Sequence, residues 1–252
     1  GSLGLSVAGA ESNVAIGLAR LGHRVRWAGR VGADELGALV LRTRAEGIDT
    51  EHVITDDTGR PTGLPLTELR LGTLTRVSYY RAGSAVTPAD VLPALASGSR
   101  ILHLTGITPA LGLSAASRCA SNVNYRSRLW TADRARTVLR PMPAHTDLLV
   151  ASEDELPLVL ERPDAGESEA VHDILSAGVD EVVVKRGARG ATSFTADGPT
   201  DCPARQVEAV DQNRRAQAEL GRWSRGRAAV GRPRGGETQA GEPVTALPDL
   251  VT

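Results

Sequence analysis

The chain has 252 residues, 41% hydrophobic, 23% charged and 3% aromatic, which suits one large globular domain with a sizeable core. Its 29 basic and 30 acidic residues leave a net charge of −1, arguing against a chain-wide electrostatic footprint for nucleic acid. No apolar run approaches the roughly 20 residues of a membrane span, and two isolated cysteines, Cys119 and Cys202, argue against a disulfide framework or a paired-cysteine metal site.

In chain order, the opening Gly-Ser-Leu-Gly-Leu-Ser has no positive segment, so no secretory leader is expected and a reducing cytoplasm is the expected setting. Residues 12–22 read as a helix with Ser12 or Asn13 near its start and Gly22 at its end. Val25 to Val31 reads as a strand. Asp34 caps a second helix, from Glu35 to Ala45, stopped at Gly47. Leu64–Leu71 and Leu74–Tyr80 alternate apolar and polar residues around Gly72-Thr73, the pattern of a β-hairpin. Pro88 opens another helix. Ile101–Thr105 and Asp147–Ala151 read as buried strands, the latter followed by an acidic helix start at Ser152–Glu155. Glu181–Lys185 is the clearest strand of all and runs into Arg186-Gly187.

Strands separated by helices predict an α/β fold with a mostly parallel, doubly wound sheet. The hairpin, near 60–82, is expected outside that sheet as a flap. After Asp211 the texture changes to Arg- and Gly-rich text without an apolar period. The core is therefore expected over 1–211, and 212–252 as a flexible, unrelated tail with room for a short helix at 213–222.

Open α/β sheets bind ligands beyond the carboxyl ends of their strands, which singles out four segments. Ala8-Gly9-Ala10-Glu11-Ser12-Asn13 lets backbone approach a ligand at a helix start, and the Asn13 amide both donates and accepts, as sugar hydroxyls require; a plain glycine turn explains it as well. Tyr79-Tyr80-Arg81 ends the hairpin with a guanidinium able to clamp a carboxylate, or with a solvated arginine. In Asn122-Val-Asn124-Tyr-Arg126, alternation would put Asn124 and Arg126 on one face; the bland alternative is a surface loop. Val182–Ala191 is an apolar strand entering a Gly-rich turn suited to phosphate, or an ordinary turn between strands. Neither a dinucleotide fingerprint nor a Walker A loop is present.

Together and in this order, these segments resemble the ribokinase (PfkB-type) family of sugar kinases, nearest its 2-keto-3-deoxygluconate kinase branch. The resemblance rests on residues 8–22, on Gly29–Asp34 with Gly37, and on Glu46-Gly-Ile48. It continues through Tyr79–Ser84, His103–Gly106, Asn124–Arg126 with Leu129-Trp130, Ser152–Glu155 and Val183–Gly187 with Gly190. It implies a three-layer α/β core with a small β-lid, and Mg²⁺-dependent transfer of the ATP γ-phosphoryl group to a sugar hydroxyl. It places Gly9, Asn13, Tyr79, Arg81, Asn124 and Arg126 on the sugar or sugar acid, two arginines suiting a carboxylate. It places Ser152, Glu155, Lys185, Gly187 and Gly190 on the nucleotide and phosphates, with Glu155 near Mg²⁺ through water. A homodimer through the lid is in keeping with the fold.

The sequence departs from the family pattern at both ends. Val207–Asp211 leads up to the family's Gly-Ala-Gly-Asp turn, whose backbone forms an anion hole and whose Asp is the catalytic base. Gln212-Asn213-Arg214-Arg215 stands there instead, so no catalytic base is assigned. The family's first strand, with its acidic sugar ligand, does not precede Ala8, and the first Asp of the family's DxNxR stretch is Asn122. The span from Ser114 to Asn124 is too short for the expected helix plus strand. The expectation is a kinase impaired in this chain, through a shifted reading frame or a mis-joined end. The alternative is a sugar-binding remnant without catalysis. Nucleic-acid binding by the arginine-rich tail is the reading the near-zero net charge least favours.

Overall fold

The computed structural model describes residues 7, 9–70, 74–80, 82–85, 99–105, 119–127, 130–204 and 244–246. Nine strands form one central sheet: β1 (Val25–Trp27), β3 (Ile48–Asp49), β7 (Ile101–Thr105), β8 (Cys119–Asn122), β9 (Leu148–Ser152), β10 (Glu181–Lys185), β11 (Ala191–Thr195), β12 (Gly198–Cys202) and β13 (Val244–Ala246). Their order is β12-β11-β10-β9-β8-β7-β13-β1-β3. All neighbours from β10 to β3 run parallel, and β11 and β12 add an antiparallel edge. The α/β expectation is therefore met.

Burial explains the central strands. Val182, Val183 and Val184 in β10 and Leu149, Val150 and Ala151 in β9 are all at most 1% exposed, so both faces of these strands are covered. Helix α3 (Ala132–Leu139) and helix α4 (Glu167–Ser176) contribute Ala135, Leu139, Ala170, Val171 and Ile174 to the same core. A smaller core joins Ala15, Val25, Trp27, Val31 and Ile48 under helix α1 (Ala10–Arg20), which packs across β1, β3, β7 and β13.

Several local expectations are corrected. Helix α1 starts at Ala10 with Gly9 as its N-cap; Ser12 does not cap it but turns its hydroxyl back to the Gly9 carbonyl, 3.2 Å away. The single strand expected at 25–31 is two, because the chain breaks at Ala28: β1 joins the central sheet, while β2 (Gly29–Gly32) pairs in parallel with β4 (Val53–Asp56). Helix α2 (Glu35–Leu41) tightens into a 3₁₀ turn at Arg42–Glu46 instead of running to Ala45. Residues 153–155 form a turn before a 3₁₀ segment at Leu156–Val159, not an α-helix start. In the span from Ser114 to Asn124, strand β8 runs from Cys119 to Asn122, and the residues before Cys119 lie outside the described ones.

The hairpin strands β5 (Leu64–Arg70) and β6 (Leu74–Tyr80) form their own antiparallel sheet, as expected of a flap. Its Gly72-Thr73 turn and the helix expected at Pro88 lie outside the described residues, as do Arg81 and residues 205–243. Within the segment read as a tail, Val244–Ala246 lies inside the sheet, between β7 and β1.

Candidate active site

The carboxyl ends of the parallel strands bring the candidate residues to one edge. Thr105, Asn122, Ser152 and Lys185 are the last residues of β7, β8, β9 and β10; Thr105 is opposite Asn122 and Lys185 opposite Ser152, the second pair standing two residues further along because Asn122 is opposite Val150. Helix α1 starts at the same edge, since the buried Thr105 hydroxyl donates to the buried Glu11 carboxylate. Gly9 and half-buried Asn13 therefore lie beside the strand ends, joined to each other by the Asn13 N–H to Gly9 carbonyl bond of 3.0 Å.

The centre of this edge is Glu155, 6% exposed. Its Oε1 accepts the Tyr125 N–H at 2.8 Å, and its Oε2 accepts the Ser152 N–H at 2.8 Å. Lys185 Nζ stands 3.2 Å from the same Oε2 and donates to Asn122 Oδ1 at 3.1 Å. One carboxylate thus ties the loop after β8, the end of β9 and the end of β10 into a unit. Such a group is ordered in advance of any ligand.

Asn124 takes φ 45°, a left-handed conformation found among the described residues at no other non-glycine position. Asparagine tolerates it, and held strain of this kind concentrates at functional sites. It also corrects an expectation. Strand β8 ends at Asn122, so alternation does not carry on to put Asn124 and Arg126 on one strand face; Asn124 is half-buried and Arg126 exposed.

Beyond Lys185 the chain turns through Gly187 (φ 57°) and Gly190 (φ 100°), closed by the Arg186 N–H to Gly190 carbonyl bond of 2.7 Å. A Cβ on Gly190 would sit 2.1 Å from the Cys202 carbonyl oxygen, so glycine is required there by the returning β12 backbone. Arg186 braces this turn. Its guanidinium binds Glu167 at 2.6 and 2.8 Å and Thr192 Oγ1 at 3.0 Å, and it also reaches Glu153. The Glu167 carboxylate above all holds it more firmly protonated than a free arginine. A groove of about 570 Å³ opens beside it, lined by Arg186, Arg189, Thr192, Asp201 and Cys202 among others.

On the other flank, Asp34 caps α2 through the Gly37 N–H (2.7 Å) and binds Thr62 through both its N–H (2.8 Å) and its hydroxyl (2.6 Å). Thr62 stands at the foot of β5, and the chain leaving the flap returns beside it, with Ala85 N–H on the Pro61 carbonyl at 2.8 Å. One foot of the flap is thus tied to α2 through Asp34, and the other foot is tied to the first. Tyr79, half-buried, pairs with Pro65 across the hairpin, and Tyr80 is 61% exposed.

Sequence reasoning missed Asn122, Tyr125, Glu11 and Thr105 as members of this edge. Glu11 carried the one available signal, a carboxylate set among small residues at the mouth of an apolar helix. Glu155 does not suit direct ligation of a divalent cation, because both oxygens already receive donors and an ammonium group stands against one of them. Among the described residues, no three or more His, Cys, Asp or Glu side chains gather as a metal site.

Comparison with known proteins agrees with this geometry. Residues 1–213 match the pfkB family carbohydrate kinases. The chain is 34% identical over 233 residues to a 2-dehydro-3-deoxygluconokinase of Thermoproteus tenax, covering 85% of this chain and 71% of that protein. Two solved structures share the fold. One is a 2-dehydro-3-deoxygluconokinase from Thermotoga maritima, with TM-score 0.76 and 23% identity over 91% of this chain and 79% of the other. The other is a putative ribokinase II from E. coli in complex with ATP and Mg²⁺, with TM-score 0.76 and 20% identity over 92% and 80%. With a ribokinase-like sheet, a separate β-flap and an ordered polar edge at the strand ends, the chain belongs to the pfkB family of carbohydrate kinases.

Proposed function

We propose that the chain binds ATP and 2-keto-3-deoxygluconate, or a closely related sugar acid, at the carboxyl edge of the sheet, as an ATP-dependent sugar kinase whose turnover is impaired. The observation that carries this reading is the Lys185–Glu155–Asn122 cluster. The Lys185 ammonium has three N–H groups, and two face Glu155 and Asn122. The third suits a phosphate oxygen, and the Gly187 turn follows directly in the chain. On the sugar side the reading uses Gly9, Asn13, Tyr79 and Asn124, with Arg81 and Arg126 for the carboxylate. The relative named 2-dehydro-3-deoxygluconokinase supports that choice of substrate.

In the proposed reaction the sugar hydroxyl oxygen forms a bond to the γ-phosphorus of ATP. The bond to the β,γ-bridging oxygen breaks, ADP leaves and the hydroxyl proton passes to a base. Catalysis of this transfer rests on positioning and charge stabilisation. A general base is typically worth about 10²–10⁴-fold. At the place of the family's Gly-Ala-Gly-Asp turn the sequence reads Gln212-Asn213-Arg214-Arg215, which brings no carboxylate, and impaired turnover follows from that. Mg²⁺ would travel on the nucleotide phosphates. The same reading has the protein acting in the cytoplasm, with the exposed Tyr80 on the flap available to a second copy.

The test is ADP formation with Mg-ATP and the keto-deoxy sugar acid, beside calorimetric binding of each ligand. Slow sugar-dependent turnover with ordinary sugar binding is expected. Lys185→Met weakens ATP binding about tenfold or more, the worth of a charge-assisted hydrogen bond. Absence of binding to both ligands refutes the proposal. Binding of the sugar acid without any turnover selects the second reading, a binding protein without catalysis, which the missing Gly-Ala-Gly-Asp turn favours.

A further inference from the structure

Glu11 lies in the first turn of α1 and is wholly buried, at 0% exposed. A carboxylate is almost never so buried unless partners hold it. It accepts the hydroxyl of Thr105, the last residue of β7, itself 1% exposed and 94 residues away in the chain. We propose that Glu11 is a positioning residue. Locked to Thr105, its carboxylate fixes the rotation and depth of the first turn of α1, and with them the presentation of Gly9 and Asn13 to a sugar hydroxyl. The inference rests on the reading of this edge as a sugar-acid site.

Three features of the local structure support it. The start of α1 has no side-chain cap, because Gly9 stands at the N-cap, and the flanking Ala8, Ala10 and Ser12 are small. Small side chains and a bare cap constrain rotation of the turn weakly. A hydrogen bond, which weakens steeply off its axis, constrains it strongly. An apolar side chain at position 11 would fill the same space without that direction, and a carboxylate also suits the positive end of the helix.

The first turn is also a single body. The Asn13 N–H donates to the Gly9 carbonyl at 3.0 Å and the Ser12 hydroxyl to the same carbonyl at 3.2 Å. Gly9 is packed so closely on Ser12 that a Cβ there would stand 2.7 Å from the Ser12 Oγ. Glu11 lies between Gly9 and Asn13, so an anchor at Glu11 places both. The third feature is where the anchor ends. Thr105 is opposite Asn122 in neighbouring β8, and Asn122 accepts from Lys185 at 3.1 Å. The Glu11–Thr105 bond thus ties the sugar side of the edge to the strand that carries part of the phosphate-side cluster. Phosphoryl transfer depends on that relative placement, and a misplacement of about 1 Å can cost about 10²-fold.

Calorimetry on the full chain, with the keto-deoxy sugar acid and with ATP, tests this. Thr105→Val keeps the shape of residue 105 and removes the donor. Sugar-acid affinity should then fall about tenfold or more while ATP affinity stays within about twofold, and Thr105→Ser, which restores the hydroxyl, should recover sugar binding. Unchanged sugar-acid affinity in Thr105→Val overturns the inference, and so does an equal loss for both ligands, which is what a role confined to stability would give. Should that variant not fold, Glu11→Leu combined with Thr105→Val replaces both partners by apolar groups. It is expected to bind the sugar acid about tenfold more weakly, and affinity equal to that of the unaltered chain is the contrary result. In the unaltered chain the sugar acid should slow amide exchange at residues 10–13; unslowed exchange there beside measurable binding also counts against Glu11. An unaltered chain that binds no sugar acid overturns the reading of the edge itself, and this inference with it.

Discussion

Two carboxylate-centred hubs hold the edge of this molecule, and they differ in what surrounds them. Glu155 sits at the ends of β8, β9 and β10, above the larger apolar core, and binds two backbone N–H groups and an ammonium. Asp34 and Asp56 sit at the flap's foot. Asp34 holds α2 and Thr62, while Asp56 accepts from the Thr58 N–H at 2.9 Å and the Thr58 hydroxyl at 2.5 Å and pairs with Arg60 at 2.5 Å and Arg30 at 3.3 Å. The first hub immobilises strand ends that are already buried on both faces. The second fixes the point at which an otherwise separate hairpin leaves the core. A carboxylate at a strand end can thus order the ground on which a ligand binds, or the base of the element that covers it, without touching a ligand.

The comparison can be broken or sharpened by substitution. Glu155→Ala strands two N–H donors and a half-buried ammonium, and should cost about 3–5 kcal/mol by urea unfolding. A loss near zero would show that Glu155 is not the centre of its hub. Asp34→Ala removes a helix cap and the tie to Thr62, and should cost about 1–2 kcal/mol. Cleavage in the flap by a protease should rise in that variant, and should stay level in Glu155→Ala wherever the latter remains folded.

Acid acts on the second hub through Asp56. The Thr58 hydroxyl above all, followed by its N–H and by Arg60, holds the Asp56 carboxyl down from 3.8 to about 2 against the opposing effect of burial. A depressed carboxylate contributes stability that is fully present above 3.8 and is lost as the pH falls from there toward about 2. Stability measured through that window should fall less steeply in Asp56→Asn than in the unaltered chain; an unchanged slope would remove Asp56 from the account. The smallest effect belongs outside both hubs. Arg20 pairs with Glu46 at 2.8 Å, but its side chain is 62% exposed, and Arg20→Ala should cost only ~0.2–1 kcal/mol, falling further in high salt.

Part of the site was readable before any coordinates. Lys185 and Gly187 follow three consecutive valines, and Ser152 and Glu155 follow an apolar run, so strand periodicity and the rule of carboxyl ends placed them together. The partnership of Glu155 with Tyr125 N–H and of Lys185 with Asn122 was not readable, because it joins groups 30 and 63 residues apart. Gly32 and Gly37 appeared only as motif letters. Their reason is steric: a Cβ on Gly32 would meet the Arg60 carbonyl at 2.6 Å, where the flap's foot presses on β2, and one on Gly37 the Gly32 carbonyl at 2.1 Å, where β2 presses on α2.

By itself the sequence determined the alternation of strands and helices, the hairpin and the Asp34 cap, because local propensity, period and capping act within a few residues. It also carried the family resemblance over the stretch that the carbohydrate kinases match. The tertiary structure alone decided that Ala28 splits one expected strand between two sheets, that Glu11 is buried against Thr105, and that Val244–Ala246 lies between β7 and β1. Each of these depends on which distant backbone needs a hydrogen-bond partner in a dry interior, and no local pattern records that need.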